Sequence, residues 1–120
     1  MQNITDFKKL SPHIQNVLAP FGKVYFSQFG EDVILKHYLE VNFLPQKGRF
    51  IDIGCYHPIM WSNTFFLYMY GWRGINIDAN SKMIELQNQV RPEDINICTG
   101  IAETEGEYTY YSIGLQAAST

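Results

Sequence analysis

Phe50-Ile51-Asp52-Ile53-Gly54-Cys55-Tyr56-His57-Pro58 is the stretch that decides the fold. A run of strand length, apolar except for Asp52, ends in a glycine, and a turn carrying Pro58 follows. Downstream, Ser62-Asn63-Thr64 precedes an aromatic run that stops at Gly71. Gly74-Ile75-Asn76-Ile77-Asp78 is then a second short apolar run ending in an acid. Strand, helix and strand in this order are the sequence form of a βαβ unit, which predicts parallel strands with a ligand site beyond their carboxyl ends. Asp78 stands 24 positions after Gly54, close to the roughly 20-residue interval at which such folds set an acid on a ribose.

Working outward, Phe50–Ile53 is apolar enough to predict burial on both faces, as in a parallel sheet between helices. Ser62 or Asn63 can cap a helix running through Tyr70, and Phe65, Phe66, Leu67, Tyr68 and Met69 make it apolar nearly all round, so good cover is expected. Gly71 is placed to end it. Ile75–Asp78 is the second strand. Ser81 can cap a helix over Lys82–Val90 with Met83, Ile84, Leu86 and Val90 inward, stopped by Arg91-Pro92-Glu93-Asp94. Ile95–Cys98 reads as a third strand. After the turn-like Glu103-Thr104-Glu105-Gly106, the aromatic Tyr108–Ser112 reads as a fourth. The tail from Gly114 to Thr120 adds no element.

Before the first strand, Ser27 is a candidate cap for a helix reaching about Asn42, with Glu31 and Asp32 in its first turn, where the helix dipole favours acids. Ile34, Leu35, Tyr38 and Val41 recur at helical spacing and mark its apolar stripe. His37 falls off that stripe and reads as solvated. Pro45-Gln46-Lys47-Gly48 is a turn. Residues 1–26 form a separate amino-terminal segment, helical or irregular. Ser11-Pro12 starts a short helix to about Leu18, Pro20-Phe21-Gly22 breaks it, and His13 reads as solvated.

Composition narrows the function classes. The 120 residues suit one domain at most, and 46% hydrophobic with 18% charged residues is globular composition. Net charge is -3 without a Lys/Arg cluster, which argues against nucleic-acid binding by a basic face. The polar start, with Asp6, Lys8 and Lys9, suits neither a signal peptide nor a spanning helix, so no membrane partner is expected. Cys55 and Cys98 are too few for a disulfide framework and too far apart for a zinc pair. Both are expected as buried free thiols, which fits a reducing cytoplasm. His13, His37 and His57 lack metal-ligand spacing, and no metal is expected.

Three strand ends are expected to converge: Asp52-Ile53-Gly54-Cys55, Asp78-Ala79-Asn80 and Thr99-Gly100-Ile101-Ala102. A carboxylate accepts two hydrogen bonds at once and so suits the vicinal hydroxyls of a ribose, the role expected of Asp78. Gly54 has no Cβ and lets a ligand approach the backbone. Main chain around Gly100–Ala102 can line an adenine. The plainer alternative is that Asp52 and Asp78 only satisfy loop amides. A pyrophosphate site needs G-x-G-x-x-G, but Gly54 is followed by Cys55, Tyr56, His57 and Pro58, and no P-loop occurs. An adenosine ligand without phosphates fits better, and S-adenosylmethionine is the commonest such cofactor.

At this point the chain resembles a known family. Ser27-Gln28-Phe29-Gly30-Glu31-Asp32, the Phe50–Pro58 stretch, Ser62-Asn63-Thr64, Gly71-Trp72-Arg73-Gly74-Ile75-Asn76-Ile77-Asp78 and Arg91-Pro92-Glu93-Asp94-Ile95-Asn96-Ile97 occur in the order of the amino-terminal half of FkbM-type methyltransferases. The resemblance covers about Tyr25 to Tyr111. It implies a Rossmann-like class I methyltransferase sheet, with residues 27–120 as its cofactor-binding half. It also implies S-adenosylmethionine-dependent methyl transfer, usually to a hydroxyl of a glycan or natural product. By the same resemblance Asp52, Gly54 and the turn Cys55-Tyr56-His57 meet the methionine end of the cofactor. Asp78, with Ala79 beside it, holds the ribose, Ile101 and Ala102 flank the base, and Gln28 and Glu31 close over it. His57 can serve as a base or orient its turn; its place in the cofactor-side motif favours the second role.

The resemblance supplies the first three parallel strands and an extra one. The fourth strand of the family, whose end carries an Asp-x-Glu-Gly-type block, has no counterpart before Thr120, and the acceptor and base residues belong there or later. Phe50–Ile53 then becomes an uncovered sheet edge that invites pairing. The expectation is a fragment of a longer enzyme or, failing that, a partner such as a second copy over that edge. Two other readings stand beside methyl transfer. One is a catalytically empty remnant that binds an adenosyl ligand or a protein. The other, disfavoured by the missing glycines, is a nicotinamide dinucleotide oxidoreductase.

Overall fold

A computed structural model describes residues 9–21, 24–42 and 47–112. The expectations for Asp6, Lys8, Gly22, Pro45-Gln46 and the Gly114–Thr120 tail lie outside the described residues. The element order is α1 (Pro12–Leu18) with a 3-10 turn at Ala19–Phe21, then α2 (Glu31–Val41), β1 (Arg49–Ile53), α3 (Phe65–Met69), β2 (Arg73–Asp78), α4 (Ser81–Val90) and β3 (Ile95–Cys98). The three strands form one open parallel sheet in the order β1-β2-β3, an α/β arrangement compatible with a Rossmann-like fold. The fourth strand expected at Tyr108–Ser112 does not form. That stretch is irregular and exposed, and among the described residues no strand lies beside it to take up its backbone groups.

Local chemistry accounts for most boundaries. The Ser11 hydroxyl accepts the Ile14 amide at 3.4 Å ahead of Pro12, so α1 starts as expected. For α3, the Ser62 hydroxyl accepts the amides of Thr64 at 3.2 Å and Phe65 at 3.0 Å. Gly71 ends α3 at φ 90°, a left-handed conformation that glycine adopts without a Cβ penalty. Three caps differ from expectation, the first being that α3 starts behind Thr64, with no side-chain cap bond, rather than behind Ser62 or Asn63. Helix α4 is capped by Asn80, one residue earlier than Ser81, with Asn80 Oδ1 accepting the amides of Lys82 and Met83. Helix α2 begins behind Gly30. Ser27 is not its N-cap residue, yet the Ser27 hydroxyl oxygen accepts the first-turn amide of Asp32 at 3.3 Å. The same hydroxyl donates to Asp32 Oδ1 at 2.6 Å, and the Ser27 amide donates to Oδ2 at 3.4 Å.

The sheet register explains where the core sits. On one face Asp52, Asn76 and Asn96 lie side by side, with Phe50 opposite Gly74; on the other, Ile51, Ile75 and Ile95 form one row and Ile53, Ile77 and Ile97 the next. The helices cover the polar row. Asn76 is fully buried, and Asn96 donates to Asn88 of α4 at 2.9 Å. The core under the helices is Cys55, Phe66, Leu67, Met83 and Ile84. The isoleucine face is bare: Ile51 is 65% exposed, Ile53 62% and Ile95 60%.

The expectation that Phe50–Ile53 is buried on both faces therefore fails on one of them. The physical reason is topological. Right-handed crossovers that step from β1 to β2 to β3 in one direction set both connecting helices on the same side, and covering the second face needs a reversal of strand order. β1 is an edge strand, as expected.

Other burial expectations also change. Met69 and Tyr70 are exposed at the end of α3, so that short helix is covered on one side only. In α4, Met83 and Ile84 point inward as expected, but Gln87 completes the stripe and Val90 is exposed. The stripe of α2 is bare, with Ile34, Leu35, Tyr38 and Val41 all exposed. His13 and His37 are exposed, as read from the sequence. Cys55 is buried, but Cys98 is exposed because it lies at the last position of β3, the outer strand. Among the described residues no helix is long and apolar enough to cross a membrane.

Candidate functional site

The carboxyl ends of β1 and β2 are joined by backbone and side chain. The amides of Gly54 and Cys55 both donate to the Ile77 carbonyl, at 2.8 and 3.1 Å. The chain then turns back sharply. Gly54 has φ 72°, Tyr56 φ 51° and Trp61 φ 61°, and the two aromatic residues hold left-handed conformations that their side chains disfavour. Their rings stack with centroids 6.1 Å apart. Residues kept in such conformations need surrounding structure to over-determine them, and three contacts do so here. The Tyr56 amide donates to Asp78 Oδ2 at 2.9 Å, Gln87 Nε2 donates to the Tyr56 carbonyl at 3.1 Å, and His57 Nδ1 accepts the amides of Ile59 and Met60 at 3.1 and 2.9 Å.

Asp52, Gly54, Cys55, Tyr56, His57, Asp78 and Ala79 are thus brought to one corner. Asp78 is a latch, since its second oxygen accepts the Asn80 amide at 2.8 Å. Asp52 accepts the Thr64 hydroxyl on Oδ2 at 2.7 Å, and Oδ1 has no hydrogen-bond partner among the described residues. Burial pushes the Asp52 carboxyl up from its ordinary range, against the Thr64 hydroxyl and the Arg91 charge, which pull it down. Burial, with the charges of Asp52 and Asp78, pushes the Cys55 thiol up to about 12, so it stays protonated and is no nucleophile near neutral pH. Burial also lowers the His57 pKa, in keeping with an Nδ1 that only accepts. His57 orients the turn. At Gly54 a built Cβ would meet nothing within 4 Å, so the space beside this backbone is open.

The remaining expected residues are placed less closely. Ser27 forms a parallel bridge with Trp61, which sets Gln28 beside the far end of the turn; Gln28 itself is exposed. Glu31 folds back onto the Phe29 amide at 2.9 Å, and bonds to backbone amides hold its carboxyl below the usual range. Ile101 and Ala102 are exposed in irregular chain beyond β3.

A buried network behind the corner escapes the sequence reading. Arg91 is 0% exposed. Its Nε donates to Asp94 Oδ2 at 3.0 Å and its Nη1 to Thr64 Oγ1 at 3.1 Å. Asp94 also accepts the Gly74 amide at 2.8 Å and Asn76 Nδ2 at 3.0 Å. Arg91-Pro92-Glu93-Asp94 reads as a helix stop, and only the three-residue spacing of an opposite pair hints at more. A hollow of about 570 Å³ lies at the opposite, amino-terminal strand ends, lined by Arg49, Phe50, Ile51, Arg73, Gly74, Ile75, Glu93 and Ile95. It includes no expected site residue and opens onto the bare isoleucine face.

The fold and this corner define an α/β chain with an open parallel sheet and a candidate small-ligand site at its strand ends. No family model, curated protein or solved structure matches the chain. Among the described residues no group of three or more His, Cys, Asp or Glu side chains could hold a metal ion.

Proposed function

We propose that the chain binds S-adenosylmethionine and supplies the cofactor-binding half of an FkbM-type methyltransferase acting on a hydroxyl of a glycan or natural product. The observation that carries this reading is the corner itself: two carboxylates, Asp52 and Asp78, at the ends of adjacent parallel strands, flanking the open backbone at Gly54. The residues fit the cofactor. Asp52 Oδ1 is an unused acceptor for its ammonium group, Asp78 keeps further lone pairs for ribose hydroxyls, and no glycine-rich cradle invites a pyrophosphate. When bound, the cofactor supplies an electrophilic methyl group. The chain's own residues hold it and set its orientation. Two free cysteines suit a reducing cytoplasm.

A second reading has its own support. Asp78 accepts two loop amides, as expected of a carboxylate that only holds the turn, and the bare isoleucine face suits a protein partner. That describes a catalytically empty remnant. Calorimetric titration separates the readings. The proposal expects S-adenosylhomocysteine to bind, NAD not to bind, and Asp52→Asn to weaken binding by about 1–3 kcal/mol, the cost of losing a charged hydrogen bond. Binding of NAD in preference overturns the proposal, and binding of neither favours the remnant.

A further inference from the structure

Arg91 is an expensive residue to bury: taking a guanidinium out of water costs several kcal/mol, recovered only through good geometry and extra hydrogen bonds. Asp94 supplies the charge partner, with Nη2 2.8 Å from Oδ2. The ring faces of Tyr68 and Phe50 lie 5.3 and 5.4 Å from the guanidinium carbon. A corner brace between α4 and β3 needs no more than this. Nη1, however, reaches across to the start of α3, donating to Thr64 Oγ1 at 3.1 Å and Ser62 Oγ at 3.4 Å.

That contact has a direction. A guanidinium only donates, so it occupies a lone pair of the Thr64 oxygen and turns the hydroxyl proton elsewhere. The acceptor at hand is Asp52 Oδ2, 2.7 Å away. Ser62 cannot compete, because its oxygen already accepts the amides of Thr64 and Phe65. The chain of donors runs one way, from Arg91 through Thr64 to Asp52. We infer that Arg91 and Thr64 are positioning residues for Asp52: the buried guanidinium directs the Thr64 hydroxyl onto Oδ2 and leaves Oδ1 as the oxygen presented to a ligand. Only the identity of that ligand rests on the adenosyl reading.

The groups acting on Asp52 are Arg91 from the end of α4, Asp78 from β2, Asp94 from the approach to β3 and Thr64 from α3, with the Cys55 thiol beside it on the turn. The Thr64 hydroxyl and Arg91 favour the ionised carboxylate; the two acids and burial oppose it. Removing the hydroxyl must therefore move the titration of Asp52 to higher pH, which a mere packing role for Thr64 does not require.

Replacing Arg91 by an apolar residue strands Asp94 and threatens the fold, so the test uses Thr64→Val, Thr64→Ser and Arg91→Lys. The readouts are the carboxyl-carbon titration of Asp52 by NMR and calorimetry with S-adenosylhomocysteine. Thr64→Val and Arg91→Lys should raise the Asp52 midpoint, while Thr64→Ser keeps it. Thr64→Val should weaken binding about tenfold, the usual effect of one lost charged hydrogen bond. A folded Thr64→Val chain that titrates or binds like the parent overturns the inference. If the parent itself does not bind S-adenosylhomocysteine, the adenosyl reading falls and the titration alone decides the relay.

Discussion

The Tyr56 amide donates to the Asp78 carboxylate at 2.9 Å across 22 residues of sequence, and this one bond ties the strained turn after β1 to the end of β2. Asp78 has a structural duty whatever ligand it meets. Asp78→Ala should therefore cost about 1–3 kcal/mol of stability by leaving the Tyr56 and Asn80 amides without their acceptor. Urea denaturation checks it. An unchanged midpoint would show that the latch contributes nothing.

Asp52 shows the opposite balance. Its carboxyl is pushed above the ordinary value of 3.8, first by burial. The folded state thus holds that proton to higher pH than the unfolded chain, and stability is lost as pH rises through the interval above 3.8. Asp52→Asn, which keeps an acceptor for Thr64, should raise the melting temperature at pH 7 and lose that advantage near pH 3.5. Thermal scans at the two pH values test the sign. A gain at pH 7 together with lost ligand binding is the mark of a carboxylate kept for function at the expense of stability.

His57 works in the other direction. Burial lowers its pKa from 6.5, and protonating Nδ1 would remove the acceptor of the Ile59 and Met60 amides. Its stabilising contribution is present above pH 6.5 and is lost as pH falls through the lowered folded value. His57→Ala should cost about 1–2 kcal/mol at pH 7.5. His57→Asn, which offers a side-chain oxygen at a similar reach, should recover part of that and flatten the dependence between pH 7.5 and 5.5. A parent chain as stable at pH 5.5 as its Asn variant would contradict this.

The bare and covered apolar residues should behave differently. Leu67→Ala or Met83→Ala, in the buried core, should destabilise by about 2–5 kcal/mol. Ile53→Lys, on the open face, should change stability by no more than about 0.5 kcal/mol but reduce association of the isolated chain in sedimentation velocity, since exposed apolar sheet surface and a free edge promote it. A parent chain that stays monomeric at high concentration would argue against that face as a contact surface.

Much of the fold was legible in local chemistry. Apolar runs ending in Asp52 and Asp78, the Ser11-Pro12 start and the Gly71 stop depend on neighbours within a few residues, and these elements occur where they were expected. The corner was legible as well, because parallel strands joined by helices carry their ends to one side. The caps at Gly30, Thr64 and Asn80 were missed by a residue or more, since several polar side chains compete for the same amides.

What the amino-acid order alone determined is the set of three parallel strands and the meeting of Asp52, Gly54 and Asp78 at their ends. Tertiary structure decided which face of the sheet is covered. A strand's alternation separates its two faces but does not say which one meets the helices, and here the helices lie over Asp52, Asn76 and Asn96 while the isoleucines face outward. It also decided that Tyr108–Ser112 pairs with no strand among the described residues, and that Arg91, Thr64 and Asp52, far apart along the chain, share one line of hydrogen bonds. Such a line is made by packing between elements, and no local pattern encodes it.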